Sequence, residues 1–168
     1  MLWDRILGYL VEQTRFNAGR EASPTYGIID FQSVKKTACA EGRGIDGGKT
    51  KGRKRRIVTD VMGNLLAIVV HVANIHDIKS EINPAREAFG RYPAIKKFCG
   101  DARYRKTFGM DVEKELDLGV DISQRIEPGW KVLPKRWVVE RTLACEITSS
   151  SEEANVVISR SYILLKRL

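Results

Sequence analysis

The segment from Arg56 to Val72 constrains the fold most, because its pattern is typical of a β-hairpin. Its arms, Arg56–Val61 and Leu65–Val72, are rich in apolar and β-branched residues, and the turn between them contains Gly63 and Asn64. Such runs, separated by a short turn with glycine, indicate two adjacent antiparallel strands. With 168 residues the chain has room for one domain with a core. The hairpin is therefore expected to belong to a larger sheet.

The remaining apolar periodicity predicts a strand before the hairpin and alternating helices and strands after it. Further strands are predicted at 26–30, 95–100 and 120–126, and helices at 2–18, 78–89, 106–116, from about 134, and at 152–168. This order predicts an α/β protein with a mixed sheet, in which three antiparallel strands are followed by two parallel strands, flanked by helices. We expect one domain over 1–168, with an N-terminal helix in 1–22, a core in 23–145 and a C-terminal helix in 146–168.

Composition favours a polyanionic partner and argues against a membrane protein. The net charge is +8, which suits nucleic acid or an acidic membrane surface, although a merely basic soluble protein is also compatible with it. The longest apolar stretch, Leu65 to Val72, is too short to cross a bilayer. Charges interrupt the apolar residues of the N-terminus, so no signal peptide is expected. The three scattered cysteines fit reduced thiols in a cytosol.

Three carboxylates are the candidate catalytic and metal-binding residues. Asp30 and Asp101 each close a predicted strand, and Glu140 lies in the amphipathic run that starts at Arg136. Two strand-end aspartates followed by a helical glutamate are the order that an RNase H-like phosphoryl-transfer site requires. Such carboxylates suit two Mg²⁺ or Mn²⁺ ions, about 3.5–4 Å apart, over a phosphodiester. Taken singly, each acid is more often a helix cap or a surface charge.

Basic residues form the candidate DNA-binding set. The stretch 35–56 holds nine Lys or Arg residues, two acids and several glycines, which indicates an exposed, flexible connection. It can contact a phosphate backbone without reading sequence, or it can be a solvated loop. Arg136 lies four residues before Glu140, so it either forms a surface ion pair or contacts DNA phosphate. The predicted DNA-binding residues are Lys35, Lys49, Lys51, Arg53, Lys54, Arg55 and Arg136.

Two other motifs do not support a function. Gly47 to Thr50 resembles the end of a phosphate-binding P-loop, but Arg43 stands where that motif requires glycine and a strand follows instead of a helix. His71 and His76 invite a metal hypothesis, yet a histidine at a strand end or in a turn is more often a satisfied polar residue.

Several stretches together resemble the DDE transposases of the IS5 group within the broader IS4/IS5 superfamily. The resemblance extends from about Trp3 to the C-terminus. Its most specific stretches are Ile29 to Lys35, Gly48 to Arg55, Gly100 to Tyr104, Val132 to Thr142 and Ser150 to Glu153.

This resemblance implies an RNase H-like catalytic domain that cuts and joins DNA at the ends of an insertion sequence. Asp30, Asp101 and Glu140 match the family's catalytic and metal-binding positions, and Arg136 matches the Arg that precedes the catalytic Glu. The implied cofactors are two Mg²⁺ (or Mn²⁺) ions. The implied partners are double-stranded DNA, as terminal inverted repeats and target, and further copies of the chain in a homo-oligomer. The implied location is the bacterial cytoplasm, in association with the nucleoid, with no membrane partner.

The chain also departs from the family pattern. The additional N-terminal region that relatives usually carry is absent before the first helix. After Thr142, relatives continue the Glu-bearing helix through a basic stretch, and about a dozen residues, or about 18 Å of helix, are missing here. A loss of this size would remove support for Glu140. The alternative to an active transposase is therefore a catalytically inactive, truncated remnant that retains only DNA binding.

Overall fold

The computed structural model of the protein describes residues 2–35, 44–45, 51–72, 82–105, 107–123, 138, 153–166 and 168. Four α-helices and six strands lie in this part of the chain. In chain order they are α1 (Leu2–Asn17), β1 (Tyr26–Lys35), β2 (Gly44–Ile45), β3 (Lys51–Thr59), β4 (Leu65–Val72), α2 (Asn83–Arg91), β5 (Lys97–Gly100), α3 (Thr107–Leu116), β6 (Gly119–Ile122) and α4 (Glu153–Leu165), with a short 3₁₀ helix at Ala102–Arg105.

The strands form one mixed sheet with β1 at its centre. On one side β1 pairs with β3, and β3 pairs with β4, both antiparallel. On the other side β1 pairs with β5, and β5 pairs with β6, both parallel. The two-residue β2, which the sequence did not predict, pairs with the start of β3. The order β4-β3-β1-β5-β6 confirms the predicted arrangement of three antiparallel strands followed by two parallel strands.

Helices flank this sheet, and the predicted RNase H-like α/β class is confirmed. Helices α1 and α4 pack on each other and both contact β4, while α2 contacts β4, β3 and β1, and α3 contacts β6. The core is aliphatic and aromatic, with Val11, Ile57, Val58 and Phe98 all fully buried. None of the helices in the described residues has both the length and the apolar character needed to span a membrane. The division of the chain into a single domain with three parts stays a prediction.

The expected exposed connection over 35–56 is wrong for its last part. Lys51–Thr59 is a strand that pairs along one edge with β1 and along the other with β4. Lys54, Arg55 and Arg56 are buried, at 5%, 2% and 2% exposure. The charge and glycine content of this segment predicted a loop. Pairing with a strand on each side satisfies its backbone hydrogen bonds, and this outweighs the local preference.

Gly27 allows β1 and β5 to lie in close contact. A Cβ atom at this position would stand 2.7 Å from two ring carbons of Phe98 and 3.1 Å from a methyl carbon of Val58. The absence of a side chain at Gly27 therefore lets the Phe98 ring lie against the backbone of the central strand.

A buried ion pair connects α1 to the turn between β3 and β4. The Arg15 guanidinium donates to the Asp60 carboxylate at 2.7 Å, and Asp60 is 0% exposed. The other carboxylate oxygen of Asp60 accepts the backbone N–H groups of Met62 and Asn64, each at 2.9 Å. The Arg15 Nε donates to the backbone carbonyl of Glu21 at 2.8 Å. Every charge in this contact therefore has a partner, as buried charges require.

We expect Gly27→Ala to lower the free energy of unfolding by about 1–3 kcal/mol, because the added methyl group overpacks the site against Phe98. The matched control is Gly90→Ala in α2, where a Cβ would meet nothing within 4 Å. This control is expected to raise stability by about 0.5–1 kcal/mol through helix propensity. Urea denaturation measures both. Equal effects of the two substitutions would contradict the close contact at Gly27.

Asp60→Asn keeps the side-chain shape but leaves the Arg15 guanidinium buried without its counter-charge, so we expect a loss of about 3–5 kcal/mol. The control is Glu115→Gln, which removes the partner of Arg86 in an ion pair with side chains 48% and 39% exposed. That change is expected to stay within about 0.5–1 kcal/mol. The measurement is the free energy of unfolding in urea, and a loss below 1 kcal/mol for Asp60→Asn would refute the structural role assigned to this pair.

Candidate active site

The parallel pairing of β1 with β5 brings Asp30 and Asp101 next to each other. In the parallel pairing of β1 with β5, Ile28 is level with Cys99. Asp30 lies two residues further along β1, and Asp101 directly follows Gly100, the last residue of β5. Extending the register therefore brings Asp101 level with Asp30 on the same face of the sheet. Neighbouring strands are about 4.8 Å apart. The register therefore brings two of the three predicted carboxylates next to each other, one within β1 and one just after β5. The prediction that Asp30 closes a strand is wrong, because pairing with β3 continues β1 for five more residues, to Lys35.

Both aspartates are largely buried, with Asp30 7% and Asp101 8% exposed. Each takes part in other polar or electrostatic interactions. Carboxylates at this depth need compensating hydrogen bonds or positive charge, which other side chains and a bound cation can both supply.

Local packing sets where Asp101 leaves the strand. Its backbone carbonyl accepts the N–H of Tyr104 at 3.0 Å, which starts the 3₁₀ helix directly after β5. A Cβ on Gly100 would stand 2.9 Å from the Tyr104 ring, so the glycine admits this tyrosine beside the strand end. The Tyr104 ring in turn meets Phe108 edge-on, with centroids 5.0 Å apart. The chain therefore turns sharply just after Asp101, with a packed aromatic pair behind the turn.

Ser123 is a further polar residue next to Asp101, and sequence reasoning missed it. Gly100 pairs with Ile122 in the parallel ladder between β5 and β6, so Ser123 is level with Asp101. Its N–H donates to the carbonyl of Gly100 at 2.9 Å, and its hydroxyl lies 3.3 Å from the Cys99 thiol. The sequence places Ser123 in a predicted strand, but its alignment with Asp101 follows only from the register.

A second polar cluster lies on the same face, between about 7 and 13 Å back along the strands. The Tyr26 hydroxyl donates to Asp121 at 2.9 Å, and the Lys97 ammonium donates to the other oxygen of Asp121 at 2.7 Å. Burial, and then the hydrogen bond to Asp121, raise the pKa of the Tyr26 phenol above its ordinary value. Tyr26 therefore stays protonated and donates, and the cluster ties β1, β5 and β6 together.

Arg55 is the buried cation on the same face as Asp30. Ile57 lies opposite Asp30 in the antiparallel ladder, and Arg55 is two residues from Ile57 on the same side of β3. Lys54 and Arg56 point to the other face. The expectation that Lys54 and Arg55 stand on an exposed loop is therefore wrong, because both lie within a strand paired on each side. Their predicted contact with DNA stays untested.

The other predicted site residues are only partly described. Lys35, Lys51 and Arg53 lie in β1 and β3, but their side chains are outside the described residues. Lys49, Arg136 and Glu140 lie wholly outside them. Of the helix predicted to carry Glu140, the structure describes Val138, which is helical and 5% exposed.

The donor chemistry of the paired aspartates fits a hard divalent ion, because Mg²⁺ and Mn²⁺ prefer carboxylate oxygens. Within the part of the chain that the structure describes, no group of three or more His, Cys, Asp and Glu side chains is placed to hold a metal ion. Asp30 and Asp101 supply two ligands, and a third protein ligand would come from outside the described residues.

Comparison with known proteins supports the fold. The sequence matches no family model and no curated protein. The fold is similar to a chain in the cryo-EM structure of the simian T-cell lymphotropic virus intasome in complex with PP2A regulatory subunit B56 gamma, with a TM-score of 0.53 and 10% identity. That similarity covers 83% of this chain and 48% of the other, so the protein spans about half the length of the chain it matches.

Two weaker similarities are to Mos1 transposase structures. One is the Mos1 mariner paired-end complex with Mn, with a TM-score of 0.37 and 12% identity over 99% of this chain and 60% of that chain. The other is the Mos1 transposase paired-end complex with the left transposon end, with a TM-score of 0.39 and 11% identity over 99% of this chain and 61% of that chain. Similarities at these TM-scores are too weak to indicate the fold or the function of this protein.

A divalent ion is expected to stabilise the folded protein through Asp30 and Asp101. At a Mn²⁺ concentration about a hundred times the dissociation constant, the gain is about 2.7 kcal/mol. Asp101→Asn should abolish most of this gain, measured as the shift of the melting temperature with added Mn²⁺. The control is Asp117→Asn, because Asp117 is exposed and has a φ of 54° that asparagine also adopts readily. An undiminished shift in Asp101→Asn would exclude the paired aspartates as the ion site.

Proposed function

We propose that this protein is a DNA transposase that hydrolyses and transfers phosphodiester strands in a metal-dependent reaction. The observation that carries the proposal is the parallel register of β1 and β5, which brings Asp30, within β1, level with Asp101, directly after the carboxyl end of β5. Ligand-binding and catalytic groups in open α/β sheets concentrate near the carboxyl ends of the parallel strands. The RNase H-like order of the strands and the net charge of +8 support the same proposal.

In this proposal Asp30 and Asp101 hold the divalent ions, and Glu140 completes the set from the helix predicted to follow. Bound Mg²⁺ or Mn²⁺ would supply Lewis-acid activation of a water or a 3′-hydroxyl and charge stabilisation at the phosphate. The rigid sheet fixes the spacing of the two aspartates, and their burial limits the access of bulk water to them. Gly100 and Tyr104 set the direction in which the Asp101 backbone leaves the strand.

DNA is the proposed substrate and partner. Lys35, Lys49, Lys51, Arg53 and Arg136 are the proposed contacts to the phosphate backbone, and such contacts weaken steeply as salt rises. Lys54 and Arg55 are buried, so neither belongs to a flexible loop. Arg55, on the face of Asp30, is proposed to add positive potential next to the site, and Lys54, on the opposite face, is proposed to add to the positive charge of the sheet. A buried cation near Asp30 raises the positive potential at the site even though its side chain does not reach the surface.

The finer assignment is to the IS5 group of DDE transposases, acting at the terminal inverted repeats of an insertion sequence. It rests on the sequence stretches that resemble this group, from Ile29 to Glu153. It includes a homo-oligomer as the active form and the bacterial cytoplasm as the location. The alternative, a truncated remnant that binds DNA without cutting it, differs only in the chemistry at the aspartates.

A nicking assay tests the proposal. The purified protein is incubated with Mn²⁺ and a duplex that carries candidate element ends, and strand breaks are counted on a denaturing gel. We expect Mn²⁺-dependent nicks that fall by more than about a hundredfold in Asp30→Asn and in Asp101→Asn, because each substitution removes a proposed metal ligand.

Asp117→Asn is the matched control and is expected to nick as the unmodified protein does. DNA binding, measured in parallel by fluorescence anisotropy, should survive in all three variants. Salt-sensitive DNA binding without nicking in Mn²⁺ would favour the inactive remnant. Nicking that persists unchanged in Asp101→Asn would refute the assignment of the site.

A further inference from the structure

Helix α1 carries an exposed apolar stripe. Leu2, Tyr9 and Phe16 are 68%, 61% and 70% exposed. They are spaced seven residues apart, so they lie on one side of the helix and span about 21 Å along its axis. Large apolar side chains aligned in this way on a surface indicate an interaction site more strongly than scattered ones do.

The opposite side of α1 is firmly held, so the stripe belongs to a fixed surface. Leu7, Leu10 and Val11 are buried in the core. Arg15 pairs with Asp60 inside the protein, and Asp4 pairs with Arg91 at 3.0 Å near the other end. These contacts fix the rotation of the helix about its axis, and the stripe consequently faces outward.

Charges within the stripe make it complementary to itself. Arg5 and Glu12 are exposed and lie between the apolar residues on the same side of the helix. If two copies of α1 cross antiparallel about a two-fold axis at Tyr9, Leu2 of one copy meets Phe16 of the other. Arg5 of one copy then lies within about one residue, or about 1.5 Å of helix rise, of a position opposite Glu12 of the other. A parallel pairing would instead place Arg5 against Arg5 and Glu12 against Glu12.

We infer that the α1 stripe is a homodimer interface, and that its occupant is the α1 stripe of a second copy of this chain. The interface is isologous, with Tyr9 on the two-fold axis and two Arg5–Glu12 ion pairs around it. A pair of 16-residue helices is smaller than a standard interface of about 1,600 Å². The dimer is therefore reversible and depends on protein concentration. This inference does not rest on the proposed catalytic function.

Sedimentation velocity over a range of protein concentrations tests the interface. The unmodified chain should shift from monomer to dimer as its concentration rises. Tyr9→Glu should leave it monomeric throughout, because two carboxylates would meet on the axis. Arg5→Glu and Glu12→Arg should each raise the dissociation constant at least about tenfold, since the symmetry makes every substitution act twice. The double variant Arg5→Glu/Glu12→Arg should restore the dissociation constant to within about threefold of the original value.

Met110→Glu is the matched control, because Met110 is an equally exposed apolar residue (64%) on α3. It should leave the dissociation constant unchanged, and circular dichroism should show the same folded state for every variant. A chain that stays monomeric at all concentrations overturns the proposal, as does a dimer that Tyr9→Glu leaves intact. A double variant no tighter than the single ones overturns the antiparallel pairing.

Discussion

The close parallel contact between β1 and β5 is the constraint on which the rest of the structure depends. It requires Gly27, because the Phe98 ring occupies the space where a side chain would stand. Once the strands run parallel in this register, its extension by two residues brings Asp30, within β1, level with Asp101, just after β5, on the same face. The same ladder, extended to β6, aligns Ser123 with Asp101. One backbone contact in the core therefore determines which polar groups lie next to each other.

Several charged side chains in the described part of the chain are buried. Asp30, Asp101, Arg55 and Asp60 are all less than a tenth exposed, and charges at such depth are tolerated only with partners. In the Arg15–Asp60 contact each carboxylate oxygen is hydrogen-bonded, and its role is structural, because it connects α1 to the β3–β4 turn. The two aspartates differ in kind, because they bring like charges to neighbouring positions, where a divalent ion would add to the interactions that each already makes. This contrast separates the candidate site from the structural ion pair more clearly than burial does.

Local sequence patterns predicted those elements in which the spacing of apolar residues matches the buried side of the helix or strand. The hairpin, the strand that ends before Asp101 and the C-terminal helix all follow from apolar periodicity. The start of β3 could not be predicted in this way, because Lys51 to Arg56 has the composition of a loop and becomes a strand only through partners on both sides. The alignment of Ser123 with Asp101 also depends on register, and register is a property of two segments together. The order of the residues along the chain predicted that Asp30 and Asp101 share a site, and the register of β1 with β5 is what brings them next to each other.

Helix α1 connects the two surfaces that carry the proposals. Its inner side reaches the β3–β4 turn through Arg15 and Asp60, and Ile57, three residues before Asp60, lies opposite Asp30. Its outer side carries Leu2, Tyr9 and Phe16. Because buried ion pairs and ladder hydrogen bonds resist displacement, a partner seated on the outer side is held in a fixed position relative to the aspartates. A two-fold pairing through α1 would thus set the distance and orientation between the two aspartate pairs of a dimer.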